Sequence, residues 1–161
     1  RKMIKNIFFF FFVLFFISSR FYNVQAVDLP EELIIIDIHE GAGRVATNGN
    51  EVAVHYEGWL YDATIKSNNE NTDIEFNLNN LCNAKGKFFD SSIKRGVPFS
   101  FKIGEGRVIK GWEEGLLGMR EDGRRCLIIP PHLAYGQRSV GGGLIPANST
   151  LIFEIILLGV R

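Results

Sequence analysis

The sequence is poor in the residues that most enzyme chemistry requires. Only two cysteines occur, Cys82 and Cys126, and no CxxC, so thioredoxin-type redox chemistry has no motif. In an oxidising compartment they would pair; otherwise they stand as two separate thiols, and the sequence leaves both readings open. His39, His55 and His132 are scattered without metal-ligand spacing, so no metal site is expected. There is no GxxxxGK[ST] phosphate loop and no GxSxG nucleophile elbow. Gly104-x-Gly106 follows a strand pattern, but Ile109 stands where a dinucleotide loop needs its third glycine, so no cofactor is expected. Net charge is also missing, at 18 basic against 18 acidic side chains. The first 26 residues hold four of those basic side chains (Arg1, Lys2, Lys5, Arg20) and no acidic one, which leaves the remainder at −4. An acidic domain without a basic stripe is a poor nucleic-acid binder.

Long apolar runs are absent too. The longest, Ile7–Ile17, falls short of the roughly 20 residues that a membrane span needs. It follows Lys5 and ends at Ser18-Ser19-Arg20, and Val24-Gln25-Ala26 offers small or β-branched residues for cleavage. That is the order of a secretory signal, expected over residues 1–26, with Met3 the expected start. Cleavage would leave no membrane anchor. Leu158-Gly159-Val160-Arg161 is no retention signal, so the endoplasmic reticulum lumen and secretion are both open. Asn148-Ser149-Thr150 is a glycosylation sequon or, equally, a turn-forming asparagine.

What is present is strand patterning. Leu33–Glu40 is rich in β-branched residues. Glu51–Leu60 puts Val52, Val54 and Tyr56 on one face. Phe99, Phe101 and Ile103 alternate with Ser100 and Lys102, and Leu127 and Ile129 fall two residues apart on one face. Leu151, Phe153, Ile155 and Leu157 share a face, with Ile152, Ile156 and Leu158 opposite. A period of two with one apolar face predicts an antiparallel sheet. One short helix is predicted near Lys110–Leu116, with Trp112 and Leu116 on one side and small Gly111 and Gly115 suited to close packing. Residues 63–85 carry seven asparagines and no Gly or Pro. They are expected to form a mobile, solvated insertion or, on a sharper reading, a partner-binding flap beside a pocket.

Six segments then stand in order: Val54-His55-Tyr56-Glu57-Gly58, Phe89-Asp90-Ser91-Ser92, Pro98-Phe99-Ser100-Phe101, Val108 through Gly115, Ala134-Tyr135-Gly136, and Ile145-Pro146 through Glu154. They gather aromatics, one carboxylate and one phenol, with no nucleophile among them. Taken singly, each aromatic reads as core; their joint occurrence does not follow from core packing. In this set and order the chain resembles the FKBP-type peptidyl-prolyl cis-trans isomerases, the tacrolimus- and rapamycin-binding immunophilins. The resemblance covers nearly all of residues 28–161 apart from the insertion, and the leader is similar to those of secretory-pathway members.

The resemblance implies an α+β fold, a twisted antiparallel sheet of about five strands wrapped around one short helix, in a domain spanning residues 27–161. It implies that Trp112 is the floor of an apolar pocket, that Tyr56, Phe99 and Phe153 are its walls, and that Phe89, Val108, Leu144 and Ile145 flank it. The Ile109 N–H and the Tyr135 hydroxyl would bind ligand carbonyls; Asp90 would accept a hydrogen bond, and Arg95 would pair with it. It implies proline-containing polypeptide clients, macrolide ligands of the tacrolimus and rapamycin type, and a monomer. The alternative is a non-catalytic chaperone or protein-binding module of the same fold. Two departures stand out: Gly141-Gly142-Gly143 in the loop that overhangs the family's pocket, and the insertion leading into Phe89-Asp90.

Overall fold

Residues 29–65 and 81–161 are described by the computed structural model. The expected leader and residues 66–80 of the expected insertion lie outside the described residues. The described residues form six strands: β1 (Ile34–His39), β2 (Glu51–Tyr61), β3 (Lys85–Ser91), β4 (Phe99–Lys102), β5 (Arg124–Ile129) and β6 (Leu151–Val160). They form one antiparallel sheet in the order β1-β5-β6-β2-β3, with β4 on β2 beside β3. Among the described residues, two short α-helices, α1 (Ser92–Arg95) and α2 (Lys110–Gly115), sit between strands. The strand beyond the five expected is β3, whose sequence KGKFFDS lacks clean alternation and owes its shape to pairing with β2.

Alternation decides which core each residue joins. Val52, Val54 and Tyr56 of β2, Leu127 and Ile129 of β5, and Leu151, Phe153, Ile155 and Leu157 of β6 all enter one core with Trp112 and Leu116. The intervening Cys126, Ile128 and Ile152 enter a second core with Ile36. The β2–β6 register shifts between Ala53 and Val54, which pair with Gly159 and Leu157. Leu158 is the extra residue of that bulge and stays exposed, and Val160 rather than Gly159 turns inward.

Helix α2 matches the predicted span within a residue, and its glycines explain how it lies so close to the sheet. A Cβ on Gly111 would meet Ile129 Cγ2 at 2.4 Å, and one on Gly115 would meet Leu127 Cδ1 at 2.6 Å. The helix is held from below by Arg125, whose guanidinium donates to the Gly115 and Leu117 carbonyls at 2.9 and 3.0 Å and to both Asp37 oxygens at 2.7 and 3.0 Å. A cation at a helix C-terminus also suits the backbone dipole there. β1, β5 and α2 are thereby fixed as one unit.

The second core is closed by residues 81–84. Cys82 and Ala84 are buried against Cys126, Ile128 and Ile152, with Leu81, Trp59 and Tyr61 packed alongside. Cys82 and Cys126 are joined as a disulfide, which resolves the open choice between pairing and separate thiols. The described end of the insertion thus lies on the sheet face opposite the one that carries α2.

Candidate functional site

The site begins at a gap in the β ladder. β3 pairs with β2 from Glu57 onward, and β4 pairs with it only as far as Val54. The Tyr56 N–H falls between the two strands. It donates to the Oγ of Ser92, which is fully buried at the start of α1, at 2.9 Å. The same Oγ lies 3.0 Å from His55 Nδ1. A buried N–H left without an acceptor would cost about 1–3 kcal/mol, so Ser92 binds α1 to β2 at the point where Tyr56 turns inward. Ser91 caps α1 through the Lys94 N–H.

Because α1 is anchored there, three polar groups converge. The Tyr56 hydroxyl donates to Asp90 Oδ2 at 2.5 Å. Arg95 donates to Asp90 Oδ1, and its other amine reaches the Tyr56 oxygen at 2.9 Å. Burial pushes the Asp90 carboxyl up, but hydrogen bonds from Tyr56 and Arg95, the Arg95 charge and the Ser91 N–H outweigh it and hold the group below its usual range. Asp90 is therefore a stable carboxylate that fixes Tyr56. It is not a proton donor at neutral pH. Burial, with the Asp90 hydrogen bond, raises the Tyr56 phenol.

Aromatic rings line the rest. Trp112 stands edge-on to Tyr56 at 5.0 Å and to Phe153 at 5.2 Å between ring centres, with Phe101 at 5.8 Å and Phe99 at 6.1 Å. Edge-to-face contacts at these distances are favourable and rigid. Phe89 reaches Phe153 at 5.5 Å only because residue 58 is glycine, whose Cβ would lie 2.7 Å from the Phe89 ring. The Trp112 indole N–H is buried without an acceptor among the described residues. The loop before α2 is held by Glu113, whose carboxylate accepts from the Gly104 and Gly106 N–H groups. Both glycines have positive φ, so Gly104-x-Gly106 is a structural turn. It presents Val108 and Ile109, and the Ile109 N–H donates to nothing among the described residues.

These elements enclose a cavity of about 510 Å³, within the range of small-molecule sites. Nine of the expected site residues line it: Tyr56, Phe89, Asp90, Phe99, Val108, Ile109, Trp112, Tyr135 and Phe153. Arg95 is outside the lining and acts on it through Asp90 and Tyr56. Leu144 and Ile145 are not brought into the lining. The Val140–Ile145 bridge turns Ile145 into the core and leaves Leu144 exposed. Burial, with the Asp90 charge, raises the Tyr135 phenol, and Arg138 opposes this. Tyr135 is thus a protonated donor at the cavity edge.

Arg107, Lys110, His132, Ala134 and Arg138 also line the cavity, and sequence reasoning did not single them out. Residues in loops and at a helix start have no periodicity to read. Their one signal was adjacency, with Arg107 beside Val108-Ile109 and Ala134 beside Tyr135. Nothing in the lining is a poised nucleophile. The arrangement can bind an apolar group on Trp112, offer donors to carbonyl oxygens at the edge, and exclude water.

Three comparisons with known proteins point to one family. Residues 81–158 match the family model described as FKBP-type peptidyl-prolyl cis-trans isomerase. The chain is 47% identical over 123 residues to FK506-binding protein 1A of Neurospora crassa, covering 76% of this chain and 82% of that protein. It is 44% identical over 128 residues to the FK506-binding protein of Neisseria meningitidis, covering 80% of this chain and 95% of that one. Among solved structures, AtFKBP13 superposes with a TM-score of 0.60 at 36% identity, covering 82% of this chain and 95% of that one.

Proposed function

Because this chain belongs to the FKBP-type peptidyl-prolyl cis-trans isomerase family, we propose that it accelerates rotation about X–Pro amides in polypeptide clients, using the cavity over Trp112. The observation that carries this is an aromatic floor, Trp112 walled by Tyr56, Phe99 and Phe153, with the Ile109 N–H and the Tyr135 hydroxyl at its edge. The amide barrier of about 18–20 kcal/mol comes from resonance in the planar C–N bond. Water favours the charge separation of that resonance. A proline ring on Trp112, walled by Tyr56, Phe99 and Phe153, has exchanged water for apolar contacts. The planar form loses solvent stabilisation there, and the twisted form, with a more localised carbonyl, keeps its donors.

The Tyr135 hydroxyl and the Ile109 N–H supply those donors to client carbonyls. Asp90 and Arg95 hold the Tyr56 ring so that the pocket has one shape, and a rigid pocket fits the twisted amide better than either planar isomer. Each 1.4 kcal/mol of such preference is about tenfold in rate. No proton moves, so no base is needed.

The same cavity takes tacrolimus, the ligand after which the relatives are named. The protein acts as a monomer on folding chains in the secretory route. The basic–apolar–small order of residues 1–26 supports that location, as does the Cys82–Cys126 disulfide, since disulfides persist in oxidising compartments. The test is isomerisation of a short X–Pro peptide with and without tacrolimus. Tacrolimus-sensitive turnover is expected. Tacrolimus binding without turnover would replace the enzyme with a binding module, and neither would overturn both readings.

A further inference from the structure

The floor of the cavity has no polar tie of its own. Trp112 is buried, and its indole N–H meets no acceptor among the described residues. Only rings pack around it, so the backbone of α2 sets how high the indole stands. That helix is a weak element by itself. It has six residues, two of them glycine, and no side-chain cap at Ile109. A helix this short does not hold without tertiary contacts. Gly111 and Gly115 bring it close to β5, but they carry no side chain that would lock against Ile129 or Leu127.

The fastening comes from Arg125, a buried residue of β5 whose nitrogens serve two elements. Its Nη1 donates to the Gly115 and Leu117 carbonyls at 2.9 and 3.0 Å, at the end of α2. Its Nε and Nη2 donate to the two Asp37 oxygens on β1 at 2.7 and 3.0 Å. The last turn of α2 has no basic residue, so the cation that suits its carbonyl end reaches it from the sheet. The guanidinium is planar and Asp37 holds its other edge, which leaves Nη1, and with it the end of the helix, one position.

We propose that Arg125 is a positioning residue for the isomerase reaction, setting through the α2 backbone the height of Trp112 beneath the proline ring. The inference rests on the isomerase reading of the cavity and adds to it a residue that lies outside the lining. A floor that shifts loses the fit that separates the twisted amide from the planar forms.

The experiment compares the parent protein with Arg125→Lys and Asp37→Asn. Arg125→Lys keeps a positive charge beside Asp37, but one ammonium cannot span the carboxylate and both carbonyls. Asp37→Asn loosens the other edge and leaves Nη1 on its carbonyls. kcat/KM for a short X–Pro peptide, denaturant unfolding and the indole N–H resonances of the two tryptophans are measured. Trp59 packs on the opposite face and serves as the internal reference, its resonance assigned with Trp59→Phe. In Arg125→Lys, kcat/KM should fall roughly tenfold, within the hundredfold that a misplacement of about 1 Å can cost. The Trp112 resonance should move and that of Trp59 should stay. In Asp37→Asn the unfolding midpoint should fall while kcat/KM stays within about twofold of the parent. Unchanged kcat/KM in a folded Arg125→Lys, a loss with Trp112 unmoved, or an equal loss in Asp37→Asn would overturn the inference and leave the isomerase reading intact. No turnover by the parent would overturn the isomerase reading and this inference with it. Should Arg125→Lys fail to fold by circular dichroism, Arg125→Gln, whose amide still donates, is read in its place; failure of both to fold would assign Arg125 to stability alone and overturn the inference.

Discussion

One sheet carries two cores built on opposite rules. On the face that bears α2, Trp112, Tyr56 and Phe153 meet edge-on, Phe101 packs alongside Trp112, and a cavity stays open to solvent. On the other face, Ile36, Cys126, Ile128 and Ile152 are covered by residues 81–84 and stapled by a disulfide. Phe88 and Phe89 are adjacent in β3 yet serve different sides, Phe88 against Trp59 and Phe89 against Phe153. The rings of Tyr56, Phe99, Trp112 and Phe153 line a cavity that a ligand can enter. The aliphatic side interlocks around the disulfide. The difference teaches that function and stability have been placed on separate faces of β2, β5 and β6.

The comparison breaks first at Trp112. Trp112→Ala removes the floor and the hub of four ring contacts, so isomerase activity should be lost and stability should fall by about 3–5 kcal/mol. Denaturant unfolding alongside the peptide assay checks both. Removing the staple tests the other face: the double change Cys82→Ser/Cys126→Ser should cost about 2–4 kcal/mol of stability with turnover retained. Loss of turnover in a folded double variant would show that the two faces are coupled.

Acid sharpens the contrast. On the closed side, Glu154 is pushed up by burial, but Lys85 and Arg124 more than offset this and hold its carboxyl below the usual range. Asp90 behaves the same way on the open side. Carboxyls depressed in the folded state contribute stability above their unfolded values, about 4.3 and 3.9, and lose it as pH falls through the folded ones. Thermal unfolding should therefore show falling stability below about pH 4, less steeply in Glu154→Gln, whose turnover at neutral pH should match the parent. Asp90→Asn should flatten the same slope and also lower turnover, because Tyr56 loses its carboxylate partner. The smallest expected effect is Tyr135→Phe: a few-fold loss of kcat/KM, from one hydrogen bond of about 0.5–1.5 kcal/mol, with unfolding unchanged.

Much of the site was legible because it lies on strands. Tyr56, Phe99 and Phe153 declare their face through a period of two, and the order of the six segments did the rest. β3 was not legible, since Lys85-Gly86-Lys87 carries no alternation and is a strand only because β2 offers it an edge. Leu144 and Ile145 were expected at the pocket, and a two-residue bridge decides which of them turns inward. The rim cations stayed invisible, because an exposed lysine or arginine looks alike in sequence whether it faces a cavity or open water.

By itself, then, the sequence determined most of the strands and the chemical kind of the site: an antiparallel sheet, one short glycine-bearing helix, and an aromatic pocket without a nucleophile. Local periodicity and residue size are enough for that, because they act through neighbouring residues. Only the tertiary structure decided that Cys82 meets Cys126, that Ser92 fills the ladder gap at Tyr56, and that Lys110 and Arg138 share one rim. Each of these joins residues distant in sequence, and their meeting depends on how strands twist and pair, which no local pattern encodes.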